Sequence, residues 1–207
     1  MTGPVERRRT SDEAVHNRGH LYAVLREVLP RRGLVLELGS GSGEHALFFA
    51  HQLNKGGGPL LWQPSDPDPI QRDSITAWIE HRRAKHVAPP LDLALGRGAP
   101  WPFEAADALV TIHTLHMVGE PGLNDLLAQG ARILPLGGPL LIHGPFLVGG
   151  RARSARMEAF AARLLARGEP GLLDEAMLLR RADEYGFRLE RQELFDEDLS
   201  TLVLQKR

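Results

Sequence analysis

The sequence predicts an α/β fold built on a doubly wound, mostly parallel sheet whose last strand runs antiparallel. Three observations predict it. Short apolar runs alternate with helical periods from Ser11 to about Arg167, a glycine turn follows the first run, and the tail shifts to the two-residue alternation of a hairpin. Parallel neighbours need crossovers, and crossovers bring helices, so a ligand is expected at the carboxyl ends of the strands.

Val15, Leu21, Val24, Leu25, Val28 and Leu29 follow a helical period from Ser11 to Leu29, and Pro30 with Gly33 ends that helix. Leu34 to Leu38 is the first strand. Gly39-Ser40-Gly41-Ser42-Gly43 then turns the chain into a helix carrying Ala46, Leu47, Phe49, Ala50 and Leu53. A second strand, Leu60 to Gln63, is halted by Pro64-Ser65-Asp66-Pro67 and followed by a helix from Asp68 to about Arg83. Further strands are expected at Val87–Leu91, Ala108–Ile112 and Pro139–His143, with helices at Gly122–Leu134 and Arg151–Arg167. A helix near Asp174 to Tyr185 precedes the hairpin, Phe187 to Phe195 and Leu199 to Leu204 around Asp196-Glu197-Asp198.

A chain of 207 residues supports one well-buried core, so residues 11–207 are expected to form a single domain behind a disordered tail, residues 1–10. Ordinary apolar (43%) and charged (25%) fractions exclude disorder and collagen as descriptions of the whole. The chain has no cysteine, which excludes disulfides, thiolate metal sites and a thiol nucleophile, and fits a reducing compartment. No apolar run is long enough to span a bilayer, and the start MTGPVERRRTSDE lacks the apolar stretch of a signal peptide. A soluble cytoplasmic protein is expected. A formal charge of −1 provides no general field for nucleic acid or membrane, and neither is expected as a partner. Arg7, Arg8 and Arg9 read as a solvated tail, and the arginines between Arg151 and Arg167 as the wet face of a helix. Trp62, Trp78 and Trp101 read as core or rim residues, since nothing basic is interleaved with them.

The turn at Gly39, Gly41 and Gly43 allows close backbone approach to a ligand. Two ligand chemistries compete for it. A dinucleotide turn places its third glycine one residue later, and Glu37 and Glu44 would repel a pyrophosphate. S-adenosylmethionine presents an ammonium, a sulfonium, a ribose diol and an adenine amino group, and so rewards nearby acceptors and negative charge. Glu37, Asp66 and Asp92 end three successive expected strands and would line one crevice. Taken singly, Asp66 and Asp92 serve equally well as caps of a helix or turn.

A parallel sheet closed by an antiparallel last strand resembles the seven-stranded Rossmann-like fold of class I S-adenosylmethionine-dependent methyltransferases. Trp62-Gln63-Pro64-Ser65-Asp66, Ser74-Ile75-Thr76-Ala77-Trp78, Trp101-Pro102 with Ala106-Asp107-Ala108, and Gly144-Pro145-Phe146 resemble one family, the methyltransferase-like 26 group, also called domain of unknown function 938. The likeness extends forward to Asn17 and the helix carrying Val24-Leu25. The resemblance implies that Asp66 holds the ribose hydroxyls, Asp92 with Leu93 faces the adenine, and the turn from Glu37 through Gly39, Ser40, Gly41 and Gly43 holds the methionine end. Asn17 and His20 are candidates for a lid over the cofactor, Asn17 as one of the residues that bind it, with packing or capping as an equal alternative. The family's Arg-Asn and Asn-Met-Ile-His strings stand here as His16-Asn17 and His113-Thr114-Leu115-His116, and its distal Ser-Asn, Trp-Gly-Ile-Arg-Asp and Pro-Ala-Asn-Asn strings are not found beyond Pro145.

His113 and His116 follow the fourth expected strand, and His143 ends the fifth. Methyl transfer needs alignment, a dry pocket and, for an acceptor that must lose a proton, a base. His116 is the candidate base or acceptor-positioning group, with His113 and His143 in support. Two other readings stand beside this one: imidazoles bonded to backbone in a buried loop, and a three-histidine metal site. The expected activity is methyl transfer to an O, N or S nucleophile of a small molecule. A non-catalytic member of the fold and an NAD(P)-dependent oxidoreductase are the alternatives.

Overall fold

The computed structural model describes residues 7–207, and the chain divides into two compact units. The first comprises residues up to Ala94 with Ala106–Val110, and the second comprises Leu95–Ala105 with Thr111–Arg207.

In the first unit, α1 (Asp12–Val28) starts where the Ser11 side chain accepts the Ala14 N–H at 3.3 Å, with Asp12 and Glu13 favourably placed against the helix dipole. Leu21, Val24 and Leu25 bury its inner face. Next come β1 (Gly33–Leu38), α2 (Glu44–Leu53), β2 (Leu60–Ser65) and α3 (Pro69–Arg82). Asp68 caps α3 through the Ile70 N–H at 2.8 Å, and Pro69 in the first turn loses no hydrogen bond there. β1 and β2 pair in parallel from Gly33 opposite Leu60 to Leu38 opposite Ser65. Val35, Leu36, Phe49, Trp62 and Ile75 form the centre of this unit's core.

β3 (Ala108–Ile112) contributes its first three residues to the first unit and its last two to the second. The second unit then carries α4 (Leu115–Ile133), β4 (Pro139–Pro145), α5 (Ala155–Ala166), α6 (Glu175–Glu184), β5 (Phe187–Phe195) and β6 (Leu199–Lys206). The strand order is β2-β1-β3-β4-β6-β5. β6 is antiparallel to both β4 and β5, as expected for the last strand. Its burial is nearly continuous, with Leu202, Val203 and Leu204 inside, because it lies between two strands.

Several boundaries differ from the sequence reading. β2 runs through Pro64 to Ser65: proline lacks a donor, yet its carbonyl still accepts the Leu91 N–H at 3.1 Å. The expected strand at Val87–Leu91 shrinks to two isolated parallel bridges, Trp62 with Val87 and Ser65 with Leu91, because Pro89 and Pro90 leave no donors between them. Hence, among the described residues, six strands form the sheet where seven were expected. Helical structure begins at Leu115 rather than Gly122, but Gly119 (φ 60°, ψ −156°) is non-helical, so α4 is two helical segments meeting at a kink, and the helix expected from Gly122 corresponds to the second, with Pro121 just after the break. α5 starts four residues late because Gly149 and Gly150 form a turn closed by the Val148–Arg151 bridge.

Of the tail expected over residues 1–10, residues 1–6 lie outside the described residues. The Arg9 N–H donates to Ser74 Oγ at 2.8 Å, and Trp78 Nε1 donates to the Arg9 carbonyl at 2.8 Å. Arg8 and Arg82 lie 5.0 and 5.6 Å from the Trp78 ring centre, so this tryptophan does have basic neighbours, Arg82 one turn on along the same helix and Arg8 from far off in the sequence. Trp62 and Trp101 are buried, as read. No helix among the described residues is long and apolar enough to cross a membrane.

Leu202→Ala is expected to destabilise the protein by about 2–5 kcal/mol, the cost of a cavity at a fully buried leucine. Leu189→Ala, on the half-exposed edge strand, should cost under about 1 kcal/mol. Urea unfolding of the two variants checks the difference.

Candidate functional site

The first unit concentrates the acids and the glycine turn at one end of β1 and β2. Glu37 is the penultimate residue of β1 and is 1% exposed. Trp62, on β2, donates from Nε1 to Glu37 Oε2 at 3.0 Å, and Ser65 Oγ donates to the Glu37 carbonyl at 2.7 Å. Burial pushes the Glu37 carboxyl from 4.5 up to about 7, against the Trp62 and Ser40 hydrogen bonds, and the Asp66 charge pushes the same way.

The turn itself is pinned to β2. Ser40 N donates to the Ser65 carbonyl at 2.9 Å, and Ser65 N donates to Ser40 Oγ at 3.1 Å. Gly43 caps α2 at φ 90°, and a Cβ there would lie 2.8 Å from Ile75 Cγ1 and 3.1 Å from its Cα. A side chain at 43 would therefore combine a left-handed torsion with a clash against α3. Glycine is required for both reasons.

Asp66, directly after β2, is 7% exposed, and both its oxygens meet backbone amides: Oδ2 accepts from Gly41 at 2.9 Å and Oδ1 from Asp68 at 2.9 Å. Burial still raises its pKa, overriding these bonds. Asp92 is more than half exposed and pairs with Arg72 at 3.3 Å, while Leu93 is buried. Arg72 also donates to the Asp66 and Pro67 carbonyls, both at 2.8 Å, so one guanidinium ties the segments carrying the two acids together. The sequence reading missed it. Its position six residues after Asp66, one turn into a helix capped by Asp68, was the available signal.

Asn17 is buried on α1, with Oδ1 2.7 Å from His45 Nε2, and the His45 ring stacks on Phe49 at 5.2 Å. His45, which follows Glu44 in the first turn of α2, was not singled out from the sequence. Glu44 accepts from the Ser11 N–H, holding the start of α1 to the start of α2.

The three candidate histidines belong to the second unit. His113 has φ 52°, and its N–H donates to the His143 carbonyl at 2.8 Å. The His113 and His143 rings meet edge-on at 5.1 Å, and His143 Nδ1 lies 2.9 Å from Thr201 Oγ1. His116 sits in the first turn of α4, not in a loop, with its ring 5.4 Å from Phe160. Its Nδ1 is buried without a partner, and burial, with His113 nearby, lowers its pKa from 6.5 to about 4. It is neutral at physiological pH. Among the described residues no three His, Cys, Asp or Glu side chains gather in a way that could hold a metal ion.

The strand order with its antiparallel last strand defines the fold of class I methyltransferases. The chain belongs to the family described as Protein of unknown function (DUF938), whose model matches residues 8–196. Solved structures bear out the fold. An O-methyltransferase family protein from Burkholderia thailandensis superposes with a TM-score of 0.73 at 19% identity, covering 94% of this chain and 57% of that one. A SAM dependent methyltransferase from Aquifex aeolicus gives 0.71 at 15% identity with both chains covered fully (100% and 100%). CalO1, a methyltransferase in calicheamicin biosynthesis in its SAH-bound form, gives 0.69 at 20% identity, covering 94% of this chain and 55% of that one. The chain thus spans little more than half the length of the Burkholderia protein and of CalO1.

The Glu37 carboxyl has a signed consequence. Its folded pKa lies above its unfolded one, so its contribution to stability is fully present below about pH 4.5 and is lost as pH rises through about 7. Glu37→Gln, which keeps a neutral side chain, is expected to gain up to about 3 kcal/mol on the wild type across that window. Urea midpoints measured from pH 4 to 8 check this, and parallel curves would mean that Glu37 titrates as it does in water.

Proposed function

We propose that residues 11–207 act as one methyltransferase domain of the methyltransferase-like 26 type, moving the methyl group of S-adenosylmethionine to an O, N or S nucleophile of a small molecule. When bound, that cofactor supplies an electrophilic methyl on a positively charged sulfur. One observation carries the reading. Two buried carboxyls, Glu37 and Asp66, stand by the glycine turn; burial disfavours their ionised forms, and a cationic ligand placed beside them would offset that cost where an anion would add to it. The Gly41 amide, which a pyrophosphate would need, already donates to Asp66. Both facts count against a dinucleotide.

In this reading Glu37 and the backbone of Gly39, Ser40, Gly41 and Gly43 take the methionine end. Asp66 accepts from the ribose hydroxyls with the lone pairs its two amide bonds leave over. Asp92 and Leu93 flank the adenine, and Asn17 on α1, bonded to His45, lies over the cofactor. His116 takes the acceptor. Its low pKa makes it a hydrogen-bond acceptor for an O–H or N–H rather than a strong base, which favours positioning over proton abstraction. His113 and His143 hold each other and support it. The absence of cysteine accords with work in the reducing cytoplasm.

Calorimetry with S-adenosylmethionine, S-adenosylhomocysteine and NAD tests the cofactor directly: binding of the first two and not the third is expected. Asp66→Ala should weaken cofactor binding by more than about 1.4 kcal/mol, tenfold, and an unchanged affinity removes the ribose role. His116→Ala should leave cofactor affinity intact while depressing turnover, read as S-adenosylhomocysteine released with a panel of small phenols, amines and thiols. Equal loss of both would make His116 a structural residue. Cofactor binding with no turnover on any acceptor would instead favour a non-catalytic binding protein.

A further inference from the structure

A concavity of about 530 Å³ lies in the first unit, bounded by α1, α2, the end of α3 and the segment leading to Val87. Its volume falls in the range of roughly 300–1,000 Å³ usual for small-molecule sites. Four fixed positive charges line it: Arg18 from α1, Arg82 from the last turn of α3, and Arg83 and Lys85 just beyond. None of the four has an ion-pair partner among the described residues. The one carboxylate in the wall, Glu44, is already engaged by the Ser11 N–H.

Aromatic rings complete the lining. Arg18 lies over Phe48 at 4.9 Å and Arg82 over Trp78 at 5.6 Å. A guanidinium stacked on a ring keeps its N–H edge open to a planar or tetrahedral anion, while the ring edge offers apolar contact. The dipole of α3 accounts for Arg82 at its carboxyl end, but not for Arg18 or Lys85, which belong to other segments. Converging like charges repel one another, and an anion of two charges relieves that repulsion. With a net charge of −1 the molecule as a whole does not attract a long polyanion, so the local cluster suits a small one.

We infer that this cleft is a binding site for a small aromatic phosphate, with the phosphate held by Arg82, Lys85 and Arg18 and the ring lodged between Phe48 and Trp78. None of these residues has a part in the cofactor turn, so the site stands or falls independently of the methyltransferase reading.

The probe is phenyl phosphate, titrated into the full chain by calorimetry with tryptophan emission followed in parallel. One-to-one binding is expected with a Kd below about 1 mM, and phenol should show none. The double variant Arg82→Ala/Lys85→Ala should weaken binding at least roughly tenfold, whereas Asp66→Ala should leave it unchanged. Arg82 and Lys85 are exposed, and the single charge reversal Lys85→Glu gives the same reading should the double variant fail to fold. The inference is overturned by an absence of saturable binding, by undiminished binding in both cleft variants, or by loss in Asp66→Ala with retention in the cleft variants. That last pattern would place the phosphate at the glycine turn.

Discussion

The hydrogen bond from Trp62 to Glu37 is the constraint on which the candidate site rests. It joins the two parallel strands through side chains, inside the protein, at the level where the chain leaves β1 for the glycine turn. A buried carboxyl is costly unless it is bonded, and here Trp62 meets one oxygen while Ser65 and Ser40 lock the adjoining backbone of the turn and of β2. The turn is thus fixed by its neighbour strand rather than by glycine alone. Burial makes the ionised form of Glu37 expensive, and the Asp66 charge nearby adds to that cost, so the bonds from Trp62 and Ser40 only partly offset what the site loses to desolvation.

Much of this was legible in the sequence because local chemistry and tertiary structure agree. The run Leu34–Leu38 followed by alternating glycines reads as strand and turn, and the structure shows strand and turn. The hairpin Phe187–Phe195 and Leu199–Lys206 was equally plain, since its period of two matches one covered and one open face on the edge strand. Where the reading faltered, prolines and glycines were taken at their average meaning. Pro64 sits inside a strand through its carbonyl, and a short helical segment precedes the non-helical Gly119, with helical structure resuming beyond it around Pro121. Those outcomes depend on distant partners, Leu91 in the first case, that no short window contains.

The site was legible as residue types but not as contacts. Glu37, Asp66 and the turn could be proposed from position, whereas Arg72 bridging the Asp66 and Asp92 segments and His45 against Asn17 are long-range pairings. The histidines show the limit most clearly. Their spacing gave only weak support to a metal cluster beside an acceptor site, and among the described residues no three such side chains gather to hold a metal ion. His116 also turned out to be neutral for want of solvent, a property no spacing encodes.

The proline pair that dissolves the outermost strand bears on how the molecule meets copies of itself. An unpaired sheet margin is a template for further strands, and intermolecular pairing there is a common route to fibrils. Beside β2, Pro89 and Pro90 withhold amide donors where an incoming chain would look for them. At the opposite margin β5 alternates Arg188, Glu190, Arg191 and Glu193 and slips register between Leu189 and Arg191. Both rims are thereby hostile to zippering, one by missing hydrogen bonds and the other by charge and a bulge.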